Sequence, residues 1–210
     1  MYRISLFSLV LASNVLAAAD QYPIARVGLW LSPYTQTDYT VGNDAVDANG
    51  PGLALYGQIG DELHAYSRYE LGWLEGDSSL PQITGTNLDI TPSEFRLGAG
   101  IKQDLGRGYV VATIEYIKAG LKADDVRLIA DEGMGFHIGG GWPVYAGTEM
   151  HGKAGVIAMG DFNGVEFVAG ASRPVTQHLR LLAEWNTLLL SDSGKDFNVR
   201  SVSIGLHMSL

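Results

Sequence analysis

Asp124, Asp125 and Asp131 are followed within a few residues by His137. A carboxylate that orients an imidazole can activate water for hydrolysis, so an acid–base site would first be sought in this stretch. A second pairing, His207-x-Ser209, sets an imidazole two residues from a hydroxyl that could act as a nucleophile. Each has a plainer reading, as solvated loop acids or as an imidazole in a polar network. Metal chemistry finds less support. The five histidines stand singly, without the i, i+4 or cysteine-paired spacing of a zinc site. The acidic stretches offer oxygen donors suited to Ca²⁺ but lack EF-hand spacing. Gly139-Gly140-Gly141 has no strand-to-helix context for a phosphate cradle. No catalytic residue, metal or cofactor is expected.

The chain as a whole narrows the classes further. Its 210 residues carry a formal net charge of -9 with pI near 4.9, which disfavours nucleic acid as a partner. Cysteine is absent, so no disulfide framework, thiolate site or cysteine-linked lipid is expected. Residues 1–19 read as a cleaved secretory signal: Arg3 supplies the positive region, an apolar stretch follows, and Ala17-Ala18-Ala19 forms the cleavage site. No later run reaches the ~18 apolar residues of a membrane helix. The 27 glycines point to tight turns and close backbone packing in strands.

The elements that must position any site are strands. In 200–210, Val202, Ile204, Leu206, Met208 and Leu210 alternate with Ser201, Ser203, Gly205, His207 and Ser209, giving one apolar and one small polar face. Similar alternation recurs along the chain and is clearest where Phe95, Leu97, Ala99 and Ile101 oppose Glu94, Arg96, Gly98 and Lys102. In 109–118 both parities are apolar; Val110, Ala112, Ile114 and Tyr116 are assigned to the greasy side. The spacing predicts about ten strands, or eight if one hairpin lies outside the membrane, each of roughly nine to eleven residues. Long polar connections are expected at 34–51, 75–93, 119–132 and 190–198, alternating with short turns, and most of the acids fall in them. Asn49-Gly50-Pro51-Gly52 and Pro143 read as strand breakers. One domain over 20–210 accounts for the pattern.

Alternation alone does not say which face is outside. The polar parity carries Arg68, Glu70, Arg96, Lys102, Glu115, His137, Lys153, Glu166, Arg180 and Glu184, together with His64. Both signs are present, as expected for groups that pair inside a narrow lumen. Tyr69, Trp73 and Trp142 stand on the apolar parity near strand ends, where interfacial girdles belong.

The signal, the alternating strands, the asymmetry of connections and the terminal strand together resemble small bacterial outer-membrane β-barrel proteins. That family usually ends in Phe or Trp where this chain has Leu210. A fainter likeness to YfaZ-type proteins lies in residues 50–57 and 139–142. The resemblance implies an all-β, closed antiparallel up-and-down transmembrane barrel in the outer membrane with its termini in the periplasm. It also implies that Val202, Ile204, Leu206, Met208 and Leu210 form an assembly signal read by the barrel assembly machinery, with lipid and lipopolysaccharide as partners. The expected role is structural or surface-interactive through acidic extracellular loops, or that of a narrow small-solute channel, with the lumen plugged by charged and glycine-lined walls. Two alternatives stay open. One is a hydrolase: the strand count is similar to ten-stranded outer-membrane proteases, and His207-x-Ser209 is similar to the His-x-Ser of lipid A deacylating barrels. The other is a soluble periplasmic lipocalin-like binding barrel, with its apolar face turned inward.

Overall fold

A computed structural model describes residues 25–210 apart from Ala146; the expected signal at 1–19 lies outside the described residues. The chain is built from strands β1 (Ala25–Val41), β2 (Asp44–Gly60), β3 (Leu63–Gly72), β4 (Leu74–Ser78), β5 (Gly85–Asp104), β6 (Tyr109–Ala123), β7 (Val126–Tyr145), β8 (Thr148–Met159), β9 (Phe162–Pro174), β10 (Leu179–Asp192) and β11 (Lys195–Ser209). Each pairs antiparallel with its neighbours, and β1 pairs with both β2 and β11, which closes the sheet. β3 and β4 lie end to end between β2 and β5, interrupted at Trp73, so the eleven segments make a ten-stranded barrel.

The strands run well past the expected boundaries. Residues 34–51, 119–132 and 190–198 are continuations of paired strands rather than loops, and of 75–93 only 79–84 leaves the sheet. Two-residue turns at 42–43, 124–125, 160–161 and 193–194 close the hairpins. Gly160 and Gly194 take positive φ there, as tight hairpins demand. Asn49-Gly50-Pro51-Gly52 does not break β2. Gly50 is needed because a Cβ would press on the Leu74 Cα at 2.9 Å, where β3 gives way to β4. Pro143 stays within β7, paired with Glu149 beside a register shift.

Two zones follow from which face is greasy. In the belt, nearer the end that holds Ala25 and Leu210, Leu29, Leu31, Leu97, Ile101, Ile114, Phe136, Ile138 and Val156 all point outward and are exposed. The apolar side of β6 is the assigned one. Tyr34 and Trp73 lie toward one edge of the belt and Trp142 and Tyr145 toward the other, each exposed. The nine residues from Val202 to Leu210, tilted ~40° at ~3.3 Å each, cover roughly 23 Å of height, close to a hydrocarbon band.

In the crown beyond the belt, at the hairpin end, the faces exchange character. On β6, Glu115 is succeeded on the same inward face by Ile117, Ala119, Leu121 and Ala123, all buried, while Lys118 and Lys122 point out. Val46, Leu74, Leu80, Ile90, Ile129, Ile157, Met159, Phe162, Leu188, Leu190 and Phe197 converge with them in one apolar core. β1 reaches the crown through a register shift around Pro33, which moves the inward side from Trp30 and Ser32 to Thr35, Thr37 and Tyr39. The expected charged and glycine-lined plug is therefore only part of the filling: a hydrocarbon plug caps it.

Candidate functional site: the barrel interior

Below the apolar plug lies an ion cluster that the strand register assembles. Arg96 on β5 and Glu115 on β6 are near neighbours on the inner face, and the barrel's curvature brings Glu166 of β9 across the lumen. The Arg96 guanidinium donates to Glu94 (Nε to Oε1, 2.6 Å), to Glu115 (Nη1 to Oε2, 3.0 Å) and to Glu166 (Nη1 to Oε2, 2.6 Å; Nη2 to Oε1, 2.8 Å). Lys153 Nζ lies 3.2 Å from Glu115 Oε1, and the Tyr66 hydroxyl donates to the same carboxylate. Arg96, Glu115, His137 and Glu166 are all buried, so their charges are compensated by one another instead of by water.

His137 occupies the middle of this cluster. Its Nε2 lies 2.7 Å from Glu166 Oε2 and its Nδ1 3.3 Å from Glu115 Oε1. Neither contact has hydrogen-bond alignment, so the imidazole packs against both carboxylates without a directed bond. Gly155 makes room for it, since a Cβ there would overlap the ring. One donor atom from each of Glu115, His137 and Glu166 lies within 4.8 Å of the others, a spacing that suits a cation. Arg96 and Lys153 already sit against both carboxylates, and a divalent ion would have to displace or outweigh them. The residues thus fit an internal salt cluster better than a metal centre.

The other sequence-selected residues face the lumen in smaller groups. Arg68 Nη2 donates to Glu70 at 2.8 Å, and its guanidinium lies 5.9 Å from the centre of the Trp30 ring. Glu184 meets His151 Nε2 at 2.9 Å. Lys102 approaches Asp61 at 3.4 Å and Asp104 at 3.3 Å. Arg180 donates to Ser172 Oγ at 2.6 Å, with Glu149 at 4.0 Å. His64 is half-buried against Tyr66. Together with Arg26, Trp30, Tyr56, Tyr109 and His207 these groups, Glu70 apart, line a cavity of about 750 Å³ that runs from the ion cluster to the turns at the Ala25/Leu210 end.

The acid–histidine pairing does not assemble, whereas His207 and Ser209 share the lumen-facing side of β11. Asp124 and Asp125 form the hairpin turn, whereas His137 lies 12 residues along β7, roughly 40 Å of extended chain from Asp125. His207 accepts a hydrogen bond from Trp30 Nε1 at 3.1 Å and stacks on Tyr56 at 4.9 Å. Val202, Ile204, Leu206 and Met208 of β11, between β1 and β10, and Leu210 just past it are exposed on the outside.

Sequence reasoning missed Tyr66, Trp30 and Tyr56 as lumen groups, and it missed the crown core. Parity signalled the former, since Tyr56, Tyr66 and Trp30 alternate with apolar neighbours. The crown was hidden because its inward face is as apolar as the belt's outward face.

No family model and no curated protein matches the chain. Solved structures do. The outer-membrane protease OmpT of Escherichia coli superposes with a TM-score of 0.56 at 11% identity, covering 89% of this chain and 97% of that one. An outer-membrane channel from Pseudomonas putida F1 gives 0.50 at 14%, covering 89% and 95%. The β domain of the Bordetella autotransporter BrkA gives 0.50 at 12%, covering 87% and 98%. At such identities the likeness speaks for architecture alone. The chain has the fold of the bacterial outer-membrane β-barrels, closed, antiparallel and ten-stranded.

Proposed function

We propose that this chain spans the bacterial outer membrane with Ala25 and Leu210 toward the periplasm and the crown on the cell surface. There it serves as a closed, surface-presenting barrel instead of a standing pore. The observation that carries this reading is the exchange of faces. A band of exposed Leu, Ile, Val and Phe matches lipid, and above it Ile117, Leu121, Leu190, Phe197 and their neighbours seal the lumen with hydrocarbon. The outer face of the crown, bearing Asp38, Asp47, Asp77 and Asp89, is the part offered to the surroundings. The soluble-barrel alternative fares poorly, since it would leave the whole belt in water. In the membrane, β11 would be the strand read by the assembly machinery, closing the barrel against β1.

The test combines topology and conductance. A cysteine at Ser193, in a hairpin turn, should react with an impermeant thiol reagent on intact cells, and one at Arg107, in an opposite turn, should react only after permeabilisation. Purified protein in planar bilayers should give no discrete current steps. Steady conductance steps in the folded wild-type barrel would refute the closed lumen, and reversed labelling would refute the orientation.

A further inference from the structure

The cavity beneath the ion cluster has two unlike walls. Along β11, β2 and β3 stand His207, Tyr56, Tyr66 and His64, all half-buried, with successive ring centres 4.9, 6.0 and 6.1 Å apart and successive planes within 30° of parallel. His207, Tyr66 and His64 lie against the bare backbone of a neighbouring strand, since a Cβ at Gly28, Gly98 or Gly100 would overlap their rings. The row is thus a broad apolar surface with hydroxyl and imidazole groups at its edges. The wall formed by β8, β9 and β10 is polar, with Val168 and Leu182 between His151, Lys153, Arg180 and Glu184. On β10, Arg180, Leu182 and Glu184 succeed one another on the inner face, which roots the guanidinium and the carboxylate four residues, roughly 13 Å, apart.

The charges around this space are balanced. Every Arg and Lys that lines it, Arg107 at a turn tip apart, has a carboxylate within 4.0 Å. Asp61, Asp104, Glu149 and Glu184 in turn each have a cation or an imidazole beside them. An ion that entered would give up its hydration and meet no unpaired counter-charge. A wholly apolar molecule would strip water from the same pairs without replacing its hydrogen bonds. Yet the paired groups keep bonding capacity: among the described residues Arg180 donates only from Nη1, and Glu184 is met only at Oε1. A neutral molecule with a C–H face for the rings and a rim of hydroxyls for these donors and acceptors suits both walls, and a pyranose sugar has that form. The cavity, at about 750 Å³, is of the size that holds small molecules, and the roughly 13 Å between the Arg180 and Glu184 backbones matches two linked sugar rings.

We propose that the lumen is a blind binding site for a short neutral saccharide of disaccharide size, entered from the Ala25/Leu210 end and held between the ring row and the Arg180–Glu184 face of β10. The hydrocarbon of the crown closes the far end, which makes the site a receptor instead of a passage. Which compartment supplies the sugar rests on the membrane orientation above; the binding itself does not.

The test uses the full mature chain folded in a detergent without sugar headgroups and titrated calorimetrically with maltose, cellobiose and N,N′-diacetylchitobiose. Glucuronate, benzoate and glycerol serve as comparison compounds. At least one neutral disaccharide should bind more tightly than all three, and its ring C–H protons should receive magnetisation from the protein's aromatic protons in saturation-transfer NMR. Tyr56→Ala should weaken that binding roughly tenfold and Glu184→Gln roughly fivefold, while Thr40→Ala, on the outer face of the crown, should leave it unchanged. Heat-modifiable gel mobility reports folding, and Tyr56→Leu, which keeps apolar bulk without the ring, serves if the alanine variant does not fold. Equal binding by wild type and the ring variant, no binding of any of the three disaccharides, or a preference for glucuronate, benzoate or glycerol overturns the proposal. Labelling on cells in the proposed sense with no sugar bound removes this inference alone; reversed labelling removes the orientation and leaves the binding intact.

Discussion

On β6, Glu115 and Ile117 are successive residues of one inner face, yet they belong to interiors built by opposite rules. Around Glu115 the lumen is held by ions: one guanidinium shared among three carboxylates, with a lysine and an imidazole beside them. Around Ile117 it is held by hydrocarbon, with no charged side chain in the core. On the membrane placement proposed above, the difference follows from what lies outside the wall. Where the outer face meets lipid, the apolar residues are useful there, and the inside is left to polar groups that must satisfy one another. Where the outer face meets water, the usual arrangement returns and the apolar residues turn in. Greasiness is thus not a property of a strand face along its whole length.

The strongest way to break the comparison is to exchange the rules at one level. Arg96→Met strands Glu94, Glu115 and Glu166 without their shared cation and should destabilise the barrel by about 3–5 kcal/mol in urea unfolding from vesicles. In the crown, Leu121→Met keeps hydrocarbon and volume and should cost less than about 1.5 kcal/mol. If the two variants unfold alike, the two interiors are not energetically distinct.

The outer faces offer a second contrast. Ile114→Arg puts a charge in the belt and should cost about 2–4 kcal/mol in lipid, whereas Thr40→Arg, on the outer face of the crown, should stay within about 0.5 kcal/mol. Equal costs would place both positions in the same medium.

The smallest effect concerns pH. Partial burial raises the carboxyl pKa of Asp47 in the crown, and the Asp38 and Asp77 carboxylates on neighbouring strands raise it further. A group raised on folding contributes stability that is complete below its unfolded value, near 4, and is lost as pH climbs through the folded value. Crown stability, followed by amide exchange, should therefore decline slightly as pH rises from about 4, and Asp47→Asn should flatten that decline. An unchanged slope in the variant would assign the effect elsewhere.

Much of the belt was legible in the sequence. Leu97 and Ile101 against Arg96 and Lys102 give a period of two that admits one pleat, whereas on β6, where both parities are apolar, alternation alone did not choose the outward side that the structure shows. The crown was not. Asp38, Asp47 and Asn49 read as loop because their polarity was taken without phase, although Val46 and Ala48 between them already mark a buried face. On β1 the shift around Pro33 resets the parity, and no local pattern announces it. Glu115, His137 and Glu166 each carried the right parity, but their convergence did not show, because they lie on β6, β7 and β9 and meet only across the closed lumen.

The sequence by itself determined that this is a strand protein, where the strands of the belt lie and which of their side chains share a face, because covalent geometry alternates side chains without reference to anything distant. Only the tertiary structure decided that strands continue through the acidic stretches, that the lumen is sealed by hydrocarbon above its ions, and that His207 of β11 stacks on Tyr56 of β2. Those outcomes depend on register and closure, which pair residues far apart in the chain, and on whether the medium outside the wall is lipid or water.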